Sequence, residues 1–370
     1  MECTQHRRGV LGRTPRIELL AHILEDPFDR QLARRNGAIL SCLEEGTLDQ
    51  AIVIREPGGP EVLKSERVTV GAPGSGQVRL RHTAIGVNFH DCYVRSGLYK
   101  TLSLPGIPGL EAVGVVDAVG PDVVDFKPGD RVGYITLGYG AYASVRLIDA
   151  NLLIRLPDWL DDRTAAATLL RGLTAQALVR QVFPVRAGHT VLVHAAAGGV
   201  GRLLCQWASH LGATVIGTVG SQEKAALARS SGCKHTILYR TENFVEKVRS
   251  LTQDRGVDAV YDSVGKDTFQ GSLQALAIRG HLVNFGQSSG PIEPFRISIL
   301  FAKSNTISRP GVFHYFVEPD RDMMAQALFA ALADRVITAG DYHEYAFEDA
   351  ARAHADMEGR KTAGAVLLIP

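Results

Sequence analysis

From Asp49 to about Leu156, apolar residues come in short runs that alternate with polar ones or are briefly continuous. The runs QVRLRHTAIGV, GVVDAVG, DRVGYI and AYASVRLI are separated by the turn-forming segments GAPGSG, PGIPG and KPGDRV. Alternation with period two predicts strands, because successive side chains of a strand face opposite sides. Many short strands with such turns between them predict a small β-barrel.

The pattern changes after DRTAAATLLRGLTAQALV, which predicts a helix. Apolar strand-like runs (TVLVHA, ATVIGTV, HTILYR, VDAVYDSV, HLVNFG) then alternate with helix-like runs (RLLCQWASHLG, SQEKAALARSSG, ENFVEKVRSLT, DTFQGSLQALAIRG). This rhythm predicts a doubly wound parallel sheet. Beyond Pro310 we expect a helix DRDMMAQALFAALADRV, a strand YHEYAF, a helix EDAARAHADME and a strand AGAVLLI, which return to the first domain. The first predicted domain comprises residues 48–172 and 309–370, and the second comprises residues 173–308.

Composition narrows the class of protein. The 370-residue chain is 45% hydrophobic and has a formal charge of +1, which offers no basic surface for nucleic acid. We find no apolar run long enough to span a bilayer, and the five scattered cysteines favour reduced thiols in the cytoplasm. Residues 1–47 mix arginines with acids and fit neither a secretory signal nor a transit peptide, although IELLAHILEDPFDRQLAR predicts a short helix. We treat them as an extension of unknown role.

The segment HAAAGGVG, residues 194–201, joins a strand-like run to a helix-like one. Such a junction binds pyrophosphate, because free N–H groups at the helix N-terminus face the anion. Ala196 stands where the dinucleotide fingerprint has its first glycine, whereas Gly198 and Gly201 allow close approach to phosphate and strand. A mere packing turn is the alternative. The further strand–helix units favour a dinucleotide site.

The end of the next predicted strand, GTVGSQEK, selects the cofactor. An NAD site places Asp or Glu there for the ribose hydroxyl. Gly220, Ser221 and Lys224 stand there instead, and Tyr239 follows the next strand. A hydroxyl and an ammonium suit a 2′-phosphate, which a carboxylate would repel. We therefore predict NADPH, the alternative being that Lys224 is an ordinary solvated lysine.

Seven segments together resemble the zinc-free quinone oxidoreductases, the zeta-crystallin-like branch of the medium-chain dehydrogenase/reductase superfamily. They are AIVIREPGGPEVL, AIGVNFHDCYVRSGLY, PGIPGLEAVGVVDAVG, FKPGDRV, HAAAGGVG, GTVGSQEK and VYDSVG. The likeness runs from about Asp49 to Pro370. It implies an α/β fold with a GroES-like β-barrel catalytic domain and a Rossmann doubly wound parallel sheet. It also implies NADPH-dependent reduction of quinones, by one or two electrons, and a homodimer.

The resemblance assigns cofactor contacts to individual positions. It places the segment around Asn88, Asp91 and Tyr93 at the nicotinamide side, and Gly199 and Val200 at the pyrophosphate. The complete set of expected cofactor contacts is Asn88, Tyr93, Thr174, Gly198, Gly199, Val200, Gly220, Ser221, Lys224, Tyr239, Ser263, Phe285, Gly286, Ser288, Arg309 and Arg360.

Zinc enzymes of the superfamily hold their metal with a Cys and a His–Glu pair. Here Asn88 stands at the Cys position and Leu110 at the His position, which leaves only Glu111. His90 and Cys92 form H-x-C without a third partner in sight. We therefore predict no metal, and an acceptor that takes hydride without a Lewis acid, such as a quinone or an activated enone.

We place Asn88, Asp91 and Tyr99 in the catalytic group. Asn88 and Tyr99 would orient cofactor and acceptor, and Tyr99 either donates a hydrogen bond to a quinone oxygen or only lines the cleft. We expect Asp91 to order the loop, with Arg95 as its partner, rather than to carry a proton, since a quinone can take its proton from solvent.

Two other functions stay open at this point. One is an NADPH-dependent alkenal, enone or enoyl-thioester reductase on the same fold, in which a Tyr would protonate the product. The other is RNA binding or a structural role, which the near-zero charge and the lack of an aromatic–basic stripe disfavour. The expected partner is a small quinone or enone, and we expect neither a membrane nor a nucleic acid.

Overall fold

A computed structural model of the chain describes residues 48–370. The helix expected within residues 1–47 therefore lies outside the described residues. The described part contains two large sheets, one mainly antiparallel and one parallel. Among residues 48–370, no helix combines the length and the apolar character needed to cross a bilayer.

The first sheet is the expected barrel-like half. Its strands are β3 (Gln77–Val87), β4 (Glu111–Val119), β5 (Arg131–Ile135), β6 (Val145–Asp149), β7 (Ile154–Arg155), β14 (Tyr342–Ala346) and β15 (Ala365–Ile369), and a separate hairpin joins β1 (Leu48–Val53) to β2 (Lys64–Thr69). Their order is β14-β15-β3-β4-β5-β7, with β6 also on β3. Alternate residues of β3 are buried at its start and all are buried at its end, which leads into the centre of the molecule. Because β15 pairs antiparallel with β3, the C-terminal segment joins this sheet.

The second sheet is parallel throughout. Its strands are β8 (Thr190–Val193), β9 (Thr214–Val219), β10 (His235–Leu238), β11 (Val257–Asp262), β12 (Leu276–Asn284) and β13 (Thr306–Ser308). Their order is β10-β9-β8-β11-β12-β13. β8, β9 and β11 are buried over nearly their whole length, as strands covered on both faces must be, and this explains their continuous apolar runs. The Rossmann expectation is confirmed.

Eight α-helices connect or cover these sheets within the described residues. They are α1 (Phe89–Arg95), α2 (Asp162–Ala177), α3 (Gly199–His210), α4 (Gln222–Ser230), α5 (Phe244–Leu251), α6 (Phe269–Ala275), α7 (Arg321–Ala333) and α8 (Ala350–Glu358).

Helix α2 lies between the two halves, and its composition fits that position. Its alanines and leucines are buried almost all round, as in a core helix rather than a surface one. A Cβ at Gly172 would lie 2.4 Å from Cδ1 of Leu328, so this glycine lets α2 approach α7 closely. The predicted domain boundary at 172/173 falls inside this helix, and the domain division stays a prediction.

The expected helix DTFQGSLQALAIRG is wrong in extent. α6 ends at Ala275, and β12 begins at Leu276 and takes up the rest of the run. Leu276 and Ala277 are buried in the sheet. A short apolar run fits a buried strand as well as a helix, and only the pairing of β12 with β11 decides between them.

Candidate active site

The loop between β8 and α3 has the form of an anion site. Gly198 is the N-cap of α3, so the helix opens on Gly199 with free N–H groups at its first turn. A Cβ at Gly201 would lie 2.2 Å from the carbonyl oxygen of Ala195, which explains that glycine. Ala196 replaces the first fingerprint glycine, and the chain accommodates its methyl group with Gly217, whose own Cβ would lie 2.6 Å away.

The residues expected at the 2′-phosphate converge. Lys224 Nζ donates to the carbonyl oxygen of Arg360 at 3.3 Å, and Arg360 Nη1 donates to the Tyr239 hydroxyl at 3.2 Å. Ser221 is the N-cap of α4 and accepts from the Lys224 amide. A Cβ at Gly220 would lie 2.9 Å from the Tyr239 hydroxyl, so the missing side chain leaves room for the tyrosine. We call Ser221, Lys224, Tyr239 and Arg360 the cation cluster.

One neighbour of the cation cluster was missed from the sequence. Glu223 is exposed in the first turn of α4, and a hydrogen bond from Ser221 lowers the pKa of its carboxyl. The strand end itself carries no acid, as predicted, but a carboxylate stands one turn further on. It adds negative charge beside a site that is otherwise cationic.

Asn88 and Asp91 are placed by the junction of β3 and α1. Asn88 is the N-cap of α1, and its backbone N–H donates to Oδ2 of Asp91 at 2.8 Å. Its side-chain amide donates to Oε1 of Glu111 at 2.8 Å. The side chain of Asn88 is therefore fixed by the one acid that remains of the zinc-type ligand pattern.

Asp91 has a different partner from the one expected. Arg95 forms an ion pair with Glu358 at 2.8 Å, so the expected Asp91–Arg95 pairing is wrong. Asp91 instead accepts from the Tyr142 hydroxyl at 3.2 Å, and that hydroxyl lies 2.9 Å from Nε2 of His354. Both partners come from segments distant in sequence, and therefore no local spacing could reveal them.

Burial controls protonation in this cluster. Desolvation raises the pKa of Asp91 to about 7, against the hydrogen bonds from Asn88 and Tyr142. It also raises the pKa of Glu111, whereas it lowers that of His354 to about 3. His354 is therefore neutral, and with Tyr142 donating to Asp91 its Nε2 carries the hydrogen. Oδ1 of Asp91 has no hydrogen-bond partner among the described residues.

Three aromatic rings of the segment that begins at Asn88 pack against one another. Tyr99 packs edge-on against Tyr93 at 5.1 Å and His90 at 5.2 Å, measured between ring centroids. Burial raises the pKa of Tyr93 to about 12 and lowers that of His90 to about 4. Tyr93 and His90 are therefore both uncharged near neutral pH.

Arg309 connects these rings to the parallel sheet. Its Nη2 donates to the Tyr99 hydroxyl at 3.2 Å, and its Nη1 donates to the carbonyl oxygen of Gly286 and to Asn284. A Cβ at Gly286 would lie 2.7 Å from the carbonyl oxygen of Ser263, so the loops after β11 and β12 touch here. We call residues 88–99 the catalytic segment, because the sequence predicts that role for Asn88, Asp91 and Tyr99. Arg309 thus links this segment to the carboxyl ends of the strands, where ligands of such sheets bind.

The remaining predicted cofactor contacts lie around these loops. Ser288 donates its amide hydrogen to Ser263 at 3.2 Å, and Phe285 donates its own to Asp262 at 2.9 Å. Val200 is half-buried in the first turn of α3. Thr174 hydrogen-bonds within α2, through its hydroxyl to Leu170.

Within residues 48–370, no three His, Cys, Asp or Glu side chains converge as metal ligands would. Leu110 is buried at the predicted His position, and Glu111 is held by Asn88 and by the backbone N–H of Leu170. The absence of a metal requirement stays a prediction.

Known proteins share this architecture and much of the sequence. Residues 74–158 match the family model described as "Alcohol dehydrogenase GroES-like domain", and residues 199–334 match "Zinc-binding dehydrogenase". The chain is 45% identical over 328 residues to 2-haloacrylate reductase of a Burkholderia species, covering 86% of this chain and 98% of that protein. It is 45% identical over 315 residues to quinone oxidoreductase of Pseudomonas aeruginosa, covering 85% and 97%.

A solved structure agrees with these matches. Escherichia coli quinone oxidoreductase complexed with NADPH aligns with a TM-score of 0.85 at 41% identity, covering 87% of this chain and 100% of that one. The chain therefore belongs to the quinone oxidoreductase family of the medium-chain dehydrogenase/reductase superfamily, as its motifs predicted.

Proposed function

We propose that this enzyme is an oxidoreductase that reduces quinones with NADPH. The observation that carries the proposal is that two residue groups lie beyond the carboxyl ends of strands in the same parallel sheet. Arg309 ties Tyr99 of the catalytic segment to the carbonyl oxygen of Gly286 beyond β12. The cation cluster stands beyond β9, in the same parallel sheet. A nucleotide laid along this edge would reach from one group to the other.

The residues present fit NADPH. The N-terminus of α3, without a side chain at Gly198 or Gly199, suits the pyrophosphate, and the cation cluster suits the 2′-phosphate. When bound, the nicotinamide supplies the hydride, and the protein positions it and excludes water. The relative from Escherichia coli, 41% identical, was solved complexed with NADPH.

The catalytic segment then has distinct tasks. Asn88, held by Glu111, presents a fixed amide to the nicotinamide side of the cleft. Tyr99, whose hydroxyl accepts a hydrogen bond from Arg309, either donates to a quinone oxygen or packs against its ring. Asp91 holds the start of α1 in place, and the proton of the reduced product comes from solvent. The acceptor needs no Lewis acid, so we propose a metal-independent enzyme.

Initial rates decide between acceptor classes. With NADPH, 1,2-naphthoquinone should be reduced, and a short enal should react more slowly by about tenfold or more. Rates are followed by the loss of reduced-nicotinamide absorbance, with heat-treated protein as the control. Clear turnover of the enal with no turnover of the quinone would contradict the proposal.

A second candidate is reduction of an activated carbon–carbon double bond. The observation that favours it is the 45% identity to a protein named 2-haloacrylate reductase. It coincides with the enone alternative raised by the sequence. Including a 2-haloacrylate in the same panel tests it, because preference for that substrate over every quinone would make this the primary function.

We also propose a homodimer through the edge of the parallel sheet. β13 is the terminal strand of that sheet, and the turn before it exposes Ile297 and Phe301, which are 73% and 87% accessible. Exposed apolar side chains beside the terminal strand of a sheet suit pairing with a second copy. Light scattering should give twice 39.9 kDa, and Phe301→Asp should lower that mass.

We also propose a reducing compartment such as the cytoplasm. The cysteines Cys92, Cys205 and Cys233 are free and buried, which supports it.

A further inference from the structure

Arg171 is a buried arginine that the roles described above do not use. It lies in the middle of α2, and its side chain is 7% accessible. A buried guanidinium is unfavourable unless its charge and its N–H groups are matched by partners. The identity of those partners therefore indicates what the residue is for.

The first set of partners belongs to the catalytic segment. Arg171 Nη2 donates to the carbonyl oxygen of Val87 at 2.6 Å, and Val87 immediately precedes Asn88. Its Nη1 lies 3.9 Å from Oε1 of Glu111, the same oxygen that accepts from the Asn88 amide at 2.8 Å. Both the backbone and the side chain of Asn88 are therefore held through Arg171 and Glu111.

The second partner belongs to the nucleotide loop. A Cβ at Gly199 would lie 2.8 Å from Cδ and Nε of Arg171, so the first residue of α3 packs directly on the guanidinium stem. Gly198, next to it, forms a bridge with Gly364 before β15. One side chain thus touches the catalytic segment and the pyrophosphate loop together.

We propose that Arg171 is a positioning residue, which sets the Asn88 segment against the Gly199 loop and places a positive charge beside Glu111. The inference rests on the proposed function. An apolar side chain could fill the same space but could neither bind the Val87 carbonyl nor balance Glu111. The other groups facing this pair are Asp91, Tyr142 and Tyr134. Arg171 acts against the burial that raises the pKa of Glu111.

The test compares Arg171→Met, Arg171→Lys and the double variant Arg171→Met/Glu111→Gln with a control on the same helix, Arg163→Met. Arg163 is 48% accessible and pairs with Glu344 at 2.9 Å, away from the loop. Three quantities are measured: the dissociation constant for NADPH, the single-turnover rate of hydride transfer to 1,2-naphthoquinone, and the thermal midpoint of the nucleotide-free protein against pH.

Arg171→Met should weaken NADPH binding by about tenfold and slow hydride transfer by more than about tenfold. Its thermal midpoint should fall more steeply with rising pH than that of the wild type, because Glu111 would ionise without a counter-charge. The double variant should lose that extra slope yet stay slow. Arg171→Lys should keep the wild-type slope but transfer hydride at least about threefold more slowly, because an ammonium lacks the guanidinium fork.

The proposal would be overturned if the NADPH dissociation constant and the transfer rate of Arg171→Met lay within about twofold of those of Arg163→Met and the thermal midpoints of both variants had the same pH slope. It would also be overturned if the extra slope of Arg171→Met survived in the double variant. If Arg171→Met does not fold, Arg171→Lys decides, and a wild-type transfer rate there overturns it. If the wild type binds NADPH but reduces no quinone, the proposed function fails, while the dissociation constants and pH slopes still test Arg171.

Discussion

The two ends of the proposed nucleotide site are built in opposite ways. At the catalytic end, Asp91 and Glu111 are fully buried, and hydrogen bonds from Asn88 hold both. At the adenosine end, the partners of the Lys224 ammonium and the Arg360 guanidinium within residues 48–370 are a backbone carbonyl and a tyrosine hydroxyl, near the protein surface. One end has its carboxyl groups hydrogen-bonded inside the protein, whereas the other leaves cations available to a ligand.

Ionisable side chains therefore have different roles at the two ends of the site. A buried, hydrogen-bonded carboxyl group fixes geometry, so removing it destabilises both the fold and the reacting segment. An exposed cation is hydrated until a ligand arrives, so removing it changes affinity and leaves the fold alone. Substitutions at the two ends should therefore separate into stability effects and selectivity effects.

The largest effect is expected from Asp91→Ala. It leaves the backbone N–H of Asn88 and the Tyr142 hydroxyl without their buried acceptor. This should lower the free energy of unfolding by about 3 kcal/mol and slow turnover at least about tenfold. Denaturant unfolding and initial rates measure both quantities. The exposed Asp158→Ala is the control, and equal effects of the two variants would show that Asp91 holds nothing in place.

The second effect depends on pH. The folded-state pKa of Asp91, about 7, lies above its ordinary 3.8. Its contribution to stability is therefore complete below the ordinary pKa and is lost as pH rises through about 7. Asp91→Asn cannot ionise, so its stability relative to wild type should rise by roughly 2 kcal/mol from about pH 5 to about pH 8. Parallel stability curves for the two proteins would contradict the buried acid.

Next comes Lys224→Ala at the open end. Loss of one ammonium should raise the Michaelis constant for NADPH by about tenfold and leave that for NADH nearly unchanged. Thermal stability should not change, because in the described part of the chain the Lys224 ammonium has a single hydrogen bond, to the Arg360 carbonyl. Lys247→Ala, an exposed lysine paired with Glu242, is the matched control. Equal changes for both nucleotides would remove Lys224 from the 2′-phosphate site.

The smallest effect is expected from Glu223→Gln. Removing this exposed carboxylate beside Ser221 should lower the Michaelis constant for NADPH by about twofold at low salt, with little effect near 0.5 M salt, because exposed charges are screened. Steady-state rates at both salt concentrations measure it. A change that persists at high salt would mean that Glu223 acts through contact rather than through its field.

The adenosine end was predictable from sequence because its chemistry lies at strand ends. Ser221 and Lys224 follow β9 and Tyr239 follows β10, so parallel-sheet topology alone brings them together. Arg360 came only from family resemblance, since it reaches the cluster through the loop before β15. Glu223 was not predicted, because the nucleotide fingerprint concerns the last residues of the strand and not the first turn of the helix.

The catalytic end was predictable only in part. Asn88, Asp91 and Tyr99 were named, but the partners of Asp91 were not, because Tyr142 and His354 join it from distant segments. Arg171 carried no sequence signal either, since an arginine in a predicted helix is usually exposed. Such networks depend on which elements the fold brings together, and local pattern does not contain that information.

We propose that the open cation cluster and the buried catalytic segment serve one NADPH-dependent reduction of quinones. The most direct measurement is kcat/KM for NADPH and for NADH, with 1,2-naphthoquinone as the acceptor. We expect kcat/KM to be about tenfold or more higher for NADPH than for NADH. Equal values, a preference for NADH, or no quinone turnover with either nucleotide would contradict it.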